Sequence, residues 1–191
     1  MKLYQNKYRI ATTRLQNWDY GSPGLYFVTI NTKNREKYFG EIAGVPHIEG
    51  VANTVGDANN VEADNYTPLH YLHYSEMGLM AIKFWCELPL HFPFVVLDEY
   101  IIMDDHLHGI LFFDKPGYNE WNTNQFGGQS ENLASVIRAF KSSLKRYANQ
   151  NNIPFEWQSR YYDRIVRNEN ELNNIRRYII DNTLKEIKEP Y

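Results

Sequence analysis

The chain has 191 residues, 43% of them hydrophobic and 15% aromatic, and a mass of 22.6 kDa. That length and composition predict one domain over 1–191 with a sizeable core, and exclude a disordered, collagenous or low-complexity protein. The net charge of −3 and the pI near 6.1 argue against an indiscriminate polyanion binder. The total hides a division: residues 1–40 sum to +5, residues 41–130 to −11 and residues 131–191 to +3.

The longest apolar runs, Phe92–Leu97 and Ile110–Phe113, are far shorter than the ~20 residues of a membrane helix. Met1–Arg14 is polar and tyrosine-rich, without the apolar core of a signal peptide. The single cysteine, Cys86, has no partner for an internal disulfide. The expectation is a cytoplasmic protein with no membrane association.

In chain order, Leu25–Thr32 (LYFVTINT) is β-branched and aromatic after the turn signal Gly21-Ser22-Pro23-Gly24, and predicts a strand. Residues 44–66 read as a loop excursion, rich in Gly, Asn, Pro and Asp. Ser75–Leu90 reads as a helix capped by Ser75, with Met77, Met80, Ala81, Phe84, Trp85 and Leu88 at helical spacing and Pro89 and Pro93 ending it. Cys86, inside that helix, is expected in the core. Phe94–Met103 and His106–Phe113 predict two strands joined tightly through Asp104-Asp105.

A second polar loop covers 116–129. Leu133–Asn149 then reads as a helix, with Leu133, Val136, Ile137, Phe140, Leu144 and Tyr147 on one face. Phe155–Trp157 and Tyr161–Val166 predict short extended segments. Glu169–Lys188 predicts a final helix capped by Asn168. The order strand, helix, strand, strand, helix, strand, helix predicts an α+β class, a ferredoxin-like split βαβ with an antiparallel sheet and its helices on one side.

His106-Leu107-His108 places two imidazoles on one face of a strand, because successive side chains alternate. Such a pair can chelate one divalent cation; the pattern equally suits two surface histidines on an edge strand. Tyr178 and Asn182 lie at i and i+4 on the last helix and share a face. Asn offers a neutral carbonyl oxygen as a third ligand, and a deprotonated Tyr is a nucleophile. A core tyrosine and a capping asparagine are the alternative.

Arg138, Lys141 and Lys145 form a basic stripe opposite the apolar face of their helix. Arg164 and Arg167 follow the preceding extended segment, and Arg176 and Arg177 precede Tyr178. These seven are the candidate phosphate contacts. Trp157, Tyr161 and Tyr162 suit either base stacking or core packing, with two of the three expected in the core.

Ordered blocks of the chain resemble the HUH-type single-tyrosine transposases of bacterial insertion sequences, especially the REP-associated tyrosine transposases. The blocks are Tyr26-Phe27-Val28-Thr29-Ile30 with Arg35 and Tyr38–Ile42; Leu97–Met103 running into His106-Leu107-His108-Gly109-Ile110; Trp157-Gln158; Tyr161–Asn168; and Tyr178-Ile179-Ile180-Asp181-Asn182. Two positions depart from the family pattern: Asp104-Asp105 stands where Pro-Asn is common, and Thr183 where Pro follows the ligand Asn. The first of these could bring a carboxylate near the metal.

The resemblance implies a transposase that cleaves and rejoins single-stranded, hairpin-bearing DNA through a 5′-phosphotyrosine at Tyr178. His106, His108 and Asn182 would hold Mg²⁺ or Mn²⁺, which suit a mixed nitrogen and oxygen site. The alternative is a catalytically inactive or domesticated hairpin-binding protein. Monomer and homodimer are equally compatible with the sequence.

Overall fold

A computed structural model of the chain describes residues 3–4, 7–8, 15, 17–43, 71–119, 121 and 130–182. The expected excursion at 44–66, most of the 116–129 loop and the last turns expected of the final helix lie outside the described residues. Two short strands near the N-terminus, β1 (Leu3–Tyr4) and β2 (Lys7–Tyr8), pair with each other.

The centre of the fold is β3 (Gly24–Asn31), whose alternation sorts its side chains to two faces. Tyr26, Val28 and Ile30 are fully buried on one face, while Phe27 belongs to a second apolar cluster on the other. β7 (His106–Phe113) pairs antiparallel with β3 from Gly24↔Phe113 to Asn31↔His106. β8 (Tyr162–Val166) pairs antiparallel with β3 on its other side, and β6 (Val95–Ile102) forms a hairpin with β7. The order is β6-β7-β3-β8.

Helix α1 (Glu76–Cys86) connects towards β6, and α3 (Leu133–Gln150) connects β7 to β8, so the chain follows the ferredoxin-like path. Both are capped by short polar side chains. Ser75 Oγ accepts from Gly78 N, and Asn132 and Ser135 form a reciprocal capping box. Trp85 of α1 and Phe140 of α3 pack edge to face at 5.3 Å over the sheet. Gly109 makes room for them: a Cβ there would lie 2.4 Å from the Trp85 ring.

The final helix, α4 (Glu169–Ile180), is capped by Asn168 as expected, but packs on the opposite face. Its apolar stripe, Leu172, Ile175 and Ile179, covers Phe27, Ile110 and Val166. The expectation of helices on one side holds only for α1 and α3. A sheet with apolar residues at alternate positions on both faces must be covered on both.

Three further expectations are corrected. The helix from Ser75 breaks at Glu87, and Pro89 sits in the first turn of a separate short helix, α2 (Leu88–His91), where its missing N–H costs nothing. Cys86 is exposed, with Sγ 3.0 Å from the Tyr100 hydroxyl. It lies one residue past the buried Trp85, and a helix turns 100° per residue. The antiparallel pair β4 (Gly40–Ala43) and β5 (Tyr71–Tyr74) was not expected; strands of four residues show too little alternation to be read.

Candidate active site

Strand β7 puts His106 and His108 on the α4 face, and both are buried. Their Nε2 atoms face each other at 3.0 Å. His108 Nδ1 is 2.8 Å from Thr29 Oγ1, its direct partner in the β3–β7 register. His106 Nδ1 is 2.6 Å from Asp105 Oδ1. A carboxylate only accepts, so Nδ1–H donates to it and Nε2 is the ring nitrogen turned toward His108.

Burial, followed by the nearby His106 and Arg35, pushes the His108 pKa down to about 3, so the imidazole is neutral around pH 7. Two ring nitrogens facing each other at this separation share a proton or a cation. Two imidazole nitrogens so placed would suit one divalent cation.

Helix α4 delivers the hydroxyl. The Tyr178 oxygen is 3.2 Å from His108 Nε2, and its ring stands edge-on to His108 at 5.1 Å and to Phe27 at 6.2 Å. Tyr178 is 38% exposed. Asn182, one turn further on and past the Asp181 cap, is buried, and its Nδ2 has no hydrogen-bond partner among the described residues.

Two carboxylates complete the surroundings. Asp104, Asp105 and His106 have ligand-type atoms within 4.8 Å of one another and could themselves hold a cation. Asp104 Oδ2 is 2.9 Å from Lys37 Nζ, and Asp105 Oδ2 is 2.7 Å from Arg35 Nε. Sequence reasoning noted the acids beside the histidines but not the roles of Thr29, Arg35 and Lys37. Strand register and the turn after β3 bring those three in.

The seven candidate phosphate contacts separate by what they touch. Lys141 Nζ donates to the carbonyls of Gln158 and Arg160 at 2.7 and 3.0 Å, and burial pushes its pKa down to about 8. Lys145 Nζ donates to the Phe155 carbonyl and to Glu156. Both ammonium groups tie α3 to the segment before β8. Arg164 pairs with Glu171 at 2.5 Å, while Arg167 is exposed beside it.

Arg176 makes two bonds to Asp98, at 2.8 and 2.5 Å, which hold α4 against the bulge of β6. Arg177 is exposed and within 3.5 Å of Asn174. Arg138 is exposed on α3. Of the three aromatics, Trp157 and Tyr161 pack against the core and Tyr162 is 55% exposed.

A groove of about 790 Å³ runs between α3 and the segment at 157–161, lined by Arg138, Lys141, Lys145, Arg146 and Arg160 with no carboxylate. It lies on the sheet face opposite the histidines, because α3 and α4 cover different faces.

The Asp98–Arg176 pair has a pH consequence. The Arg176 guanidinium holds the Asp98 carboxyl below its ordinary 3.8. A carboxyl lowered in the fold stabilises it above the unfolded value and loses that contribution as pH falls through the folded value. Wild type is expected to lose stability below about pH 4 more steeply than Asp98→Asn, as read by denaturant unfolding across pH.

No protein-family model matches the chain. A Haemophilus influenzae protein described only as uncharacterized is 29% identical over 180 residues, covering 90% of this chain and 86% of its own length. Among solved structures, the REP-associated tyrosine transposase bound to a REP hairpin superposes with a TM-score of 0.52 and 15% identity, over 93% of this chain and 74% of that one. The fold is thus the α+β arrangement found in that transposase. Among the described residues, no helix is long and apolar enough to cross a membrane.

Proposed function

We propose that this chain is a metal-dependent transposase or endonuclease that cleaves and rejoins single-stranded, hairpin-bearing DNA through a 5′-phosphotyrosine at Tyr178. One observation carries the reading: a phenol oxygen 3.2 Å from a histidine nitrogen that itself faces a second histidine nitrogen at 3.0 Å. A nucleophile beside a two-imidazole cation site is the minimum apparatus for attack on a phosphodiester. The fold likeness to a transposase bound to a hairpin supports the substrate class.

His106, His108 and the Asn182 carbonyl oxygen are the ligands of this reading, with Mg²⁺ or Mn²⁺ as the ion. The ion's chemistry is to neutralise charge on a non-bridging phosphate oxygen. Tyr178 supplies the oxygen that bonds to phosphorus; the P–O3′ bond breaks and its electron pair leaves with the 3′ oxygen, which takes a proton. The phenol gives up its proton to solvent. Attack by another 3′-hydroxyl on the phosphotyrosine reverses the step and joins strands. The ester energy is conserved in the covalent bond, so the chain needs no nucleotide-triphosphate site.

The basic groove on the far face supports DNA binding away from the scissile phosphate. Arg138→Ala is expected to weaken hairpin binding and its salt dependence with little change in stability, because an exposed arginine contributes mainly phosphate contact. Lys141→Met is expected to cost about 1–2 kcal/mol of stability, because two main-chain carbonyls lose their donor. Filter binding at several salt concentrations and urea unfolding separate the two. The test of the function is a denaturing gel with a hairpin-bearing single-stranded oligonucleotide and Mn²⁺. A covalent adduct supports the enzyme, and tight binding without adduct supports the inactive hairpin-binding alternative.

A further inference from the structure

We infer that Asp105, clamped by Arg35, is a positioning residue that fixes the tautomer and direction of His106. This rests on the reading of His106 as a metal ligand. Asp105 is 6% exposed and His106 3%, so neither group exchanges its partner freely with water. One carboxylate oxygen sits 2.6 Å from His106 Nδ1 and the other 2.7 Å from Arg35 Nε. The Asp105 main-chain carbonyl accepts from Thr32 N at 2.9 Å, so the residue is held at both ends.

Arg35 is presented by an unusual turn. Asn34 and Arg35 are consecutive non-glycine residues at φ +56° and +58°, a region L residues seldom occupy. Strain of this kind persists where surrounding structure imposes it, often near a site. The Arg35 Nη1 also donates to Asn31 Oδ1 at 3.1 Å, fixing the guanidinium on the sheet. Its positive charge offsets that of the buried carboxylate.

The consequence lies at the other ring nitrogen. With Nδ1–H held by the carboxylate, the other ring nitrogen, Nε2, is aimed at His108 Nε2 at 3.0 Å. Asp104 is oriented differently: its carboxylate pairs with Lys37 and its carbonyl accepts from Phe39 N. Both Asp105 oxygens already face donors, so the acid orients a ligand here instead of acting as one.

The test uses the full chain, Mn²⁺ alone and two readouts. By calorimetry, Asp105→Ala is expected to bind Mn²⁺ 10–100-fold more weakly. Asp105→Asn keeps an acceptor without the charge, and is expected to fall between wild type and Ala. Arg35→Gln is expected to weaken binding a few-fold, and Asp104→Asn to leave it unchanged. In long-range ¹⁵N spectra of the metal-free protein, His106 is expected as the Nδ1–H tautomer in wild type and as a mixture in Asp105→Ala.

Asp105→Ala exposes a buried imbalance and is prone to unfold, so Asp105→Asn carries both readouts as well. Unchanged Mn²⁺ affinity and an unchanged tautomer in a folded Asp105 variant overturn the inference, as does loss of binding in Asp104→Asn. If His106→Ala also binds Mn²⁺ like wild type, or wild type binds none, the metal reading itself falls.

Discussion

In Tyr178→Phe, the covalent adduct with a single-stranded oligonucleotide is expected to disappear while hairpin binding stays within about twofold of wild type. Phenylalanine keeps the ring contacts to Phe27 and His108 and removes only the oxygen that stands 3.2 Å from His108 Nε2. Helix α4 therefore stays docked, and the loss is chemical. No adjacent group can replace a missing nucleophile, so the drop is about a thousandfold or more, roughly 4 kcal/mol of barrier. An adduct that persists would move the nucleophile elsewhere. Tyr162 would be next: it is exposed, pairs in register with Thr29, and its ring lies 6.3 Å from Phe27 on the same face. Tyr161 would follow.

His108→Ala is expected to lower Mn²⁺ affinity by about 100-fold or more, measured by calorimetry. His108 contacts Thr29, His106, Tyr178 and the Phe27 ring, and its low pKa keeps its lone pair available at neutral pH. The same change opens a buried cavity, so stability falls too; His108→Gln, closer in volume, separates packing from coordination.

Asn182→Ala supplies the contrast. Its buried Nδ2 has no hydrogen-bond partner among the described residues, so removing it is expected to change stability by less than about 1 kcal/mol while weakening Mn²⁺ binding. If binding survives without His108 and fails without the carboxylates, the cation belongs to the Asp104–Asp105–His106 cluster.

Much of the fold was legible along the chain. β7 matches its predicted bounds residue for residue, because alternation and the Asp104-Asp105 turn both point to the same limits. α3 ends one residue beyond expectation, and α4 starts at its predicted cap. β4 and β5 escaped because each is short and they are separated by 27 residues, so neither alternation nor a turn signal links them. The seven cations looked alike as sequence. They divide only once Lys141, Lys145, Arg164 and Arg176 are seen beside carbonyls and carboxylates.

The net charge shows the same division. A total of −3 concealed positive segments at 1–40 and 131–191. Arg35 of the first stands at the histidines, and the second supplies the cations of the α3 groove.

By itself the amino-acid order determined that His106 and His108 share a face, since the strand period is local, and that Tyr178 lies on the last helix; Asn182, expected on that helix too, lies past the Asp181 cap. It also determined the order of elements that yields the antiparallel sheet. Only the tertiary structure decided that Tyr178 meets His108. That follows from α4 packing across the sheet from α1 and α3, driven by an apolar stripe whose partners, Phe27, Ile110 and Val166, come from three strands far apart in sequence. Asp105, Arg35 and Thr29 joined the site for the same reason: side-chain register between distant strands is a property of the folded sheet, not of any one segment.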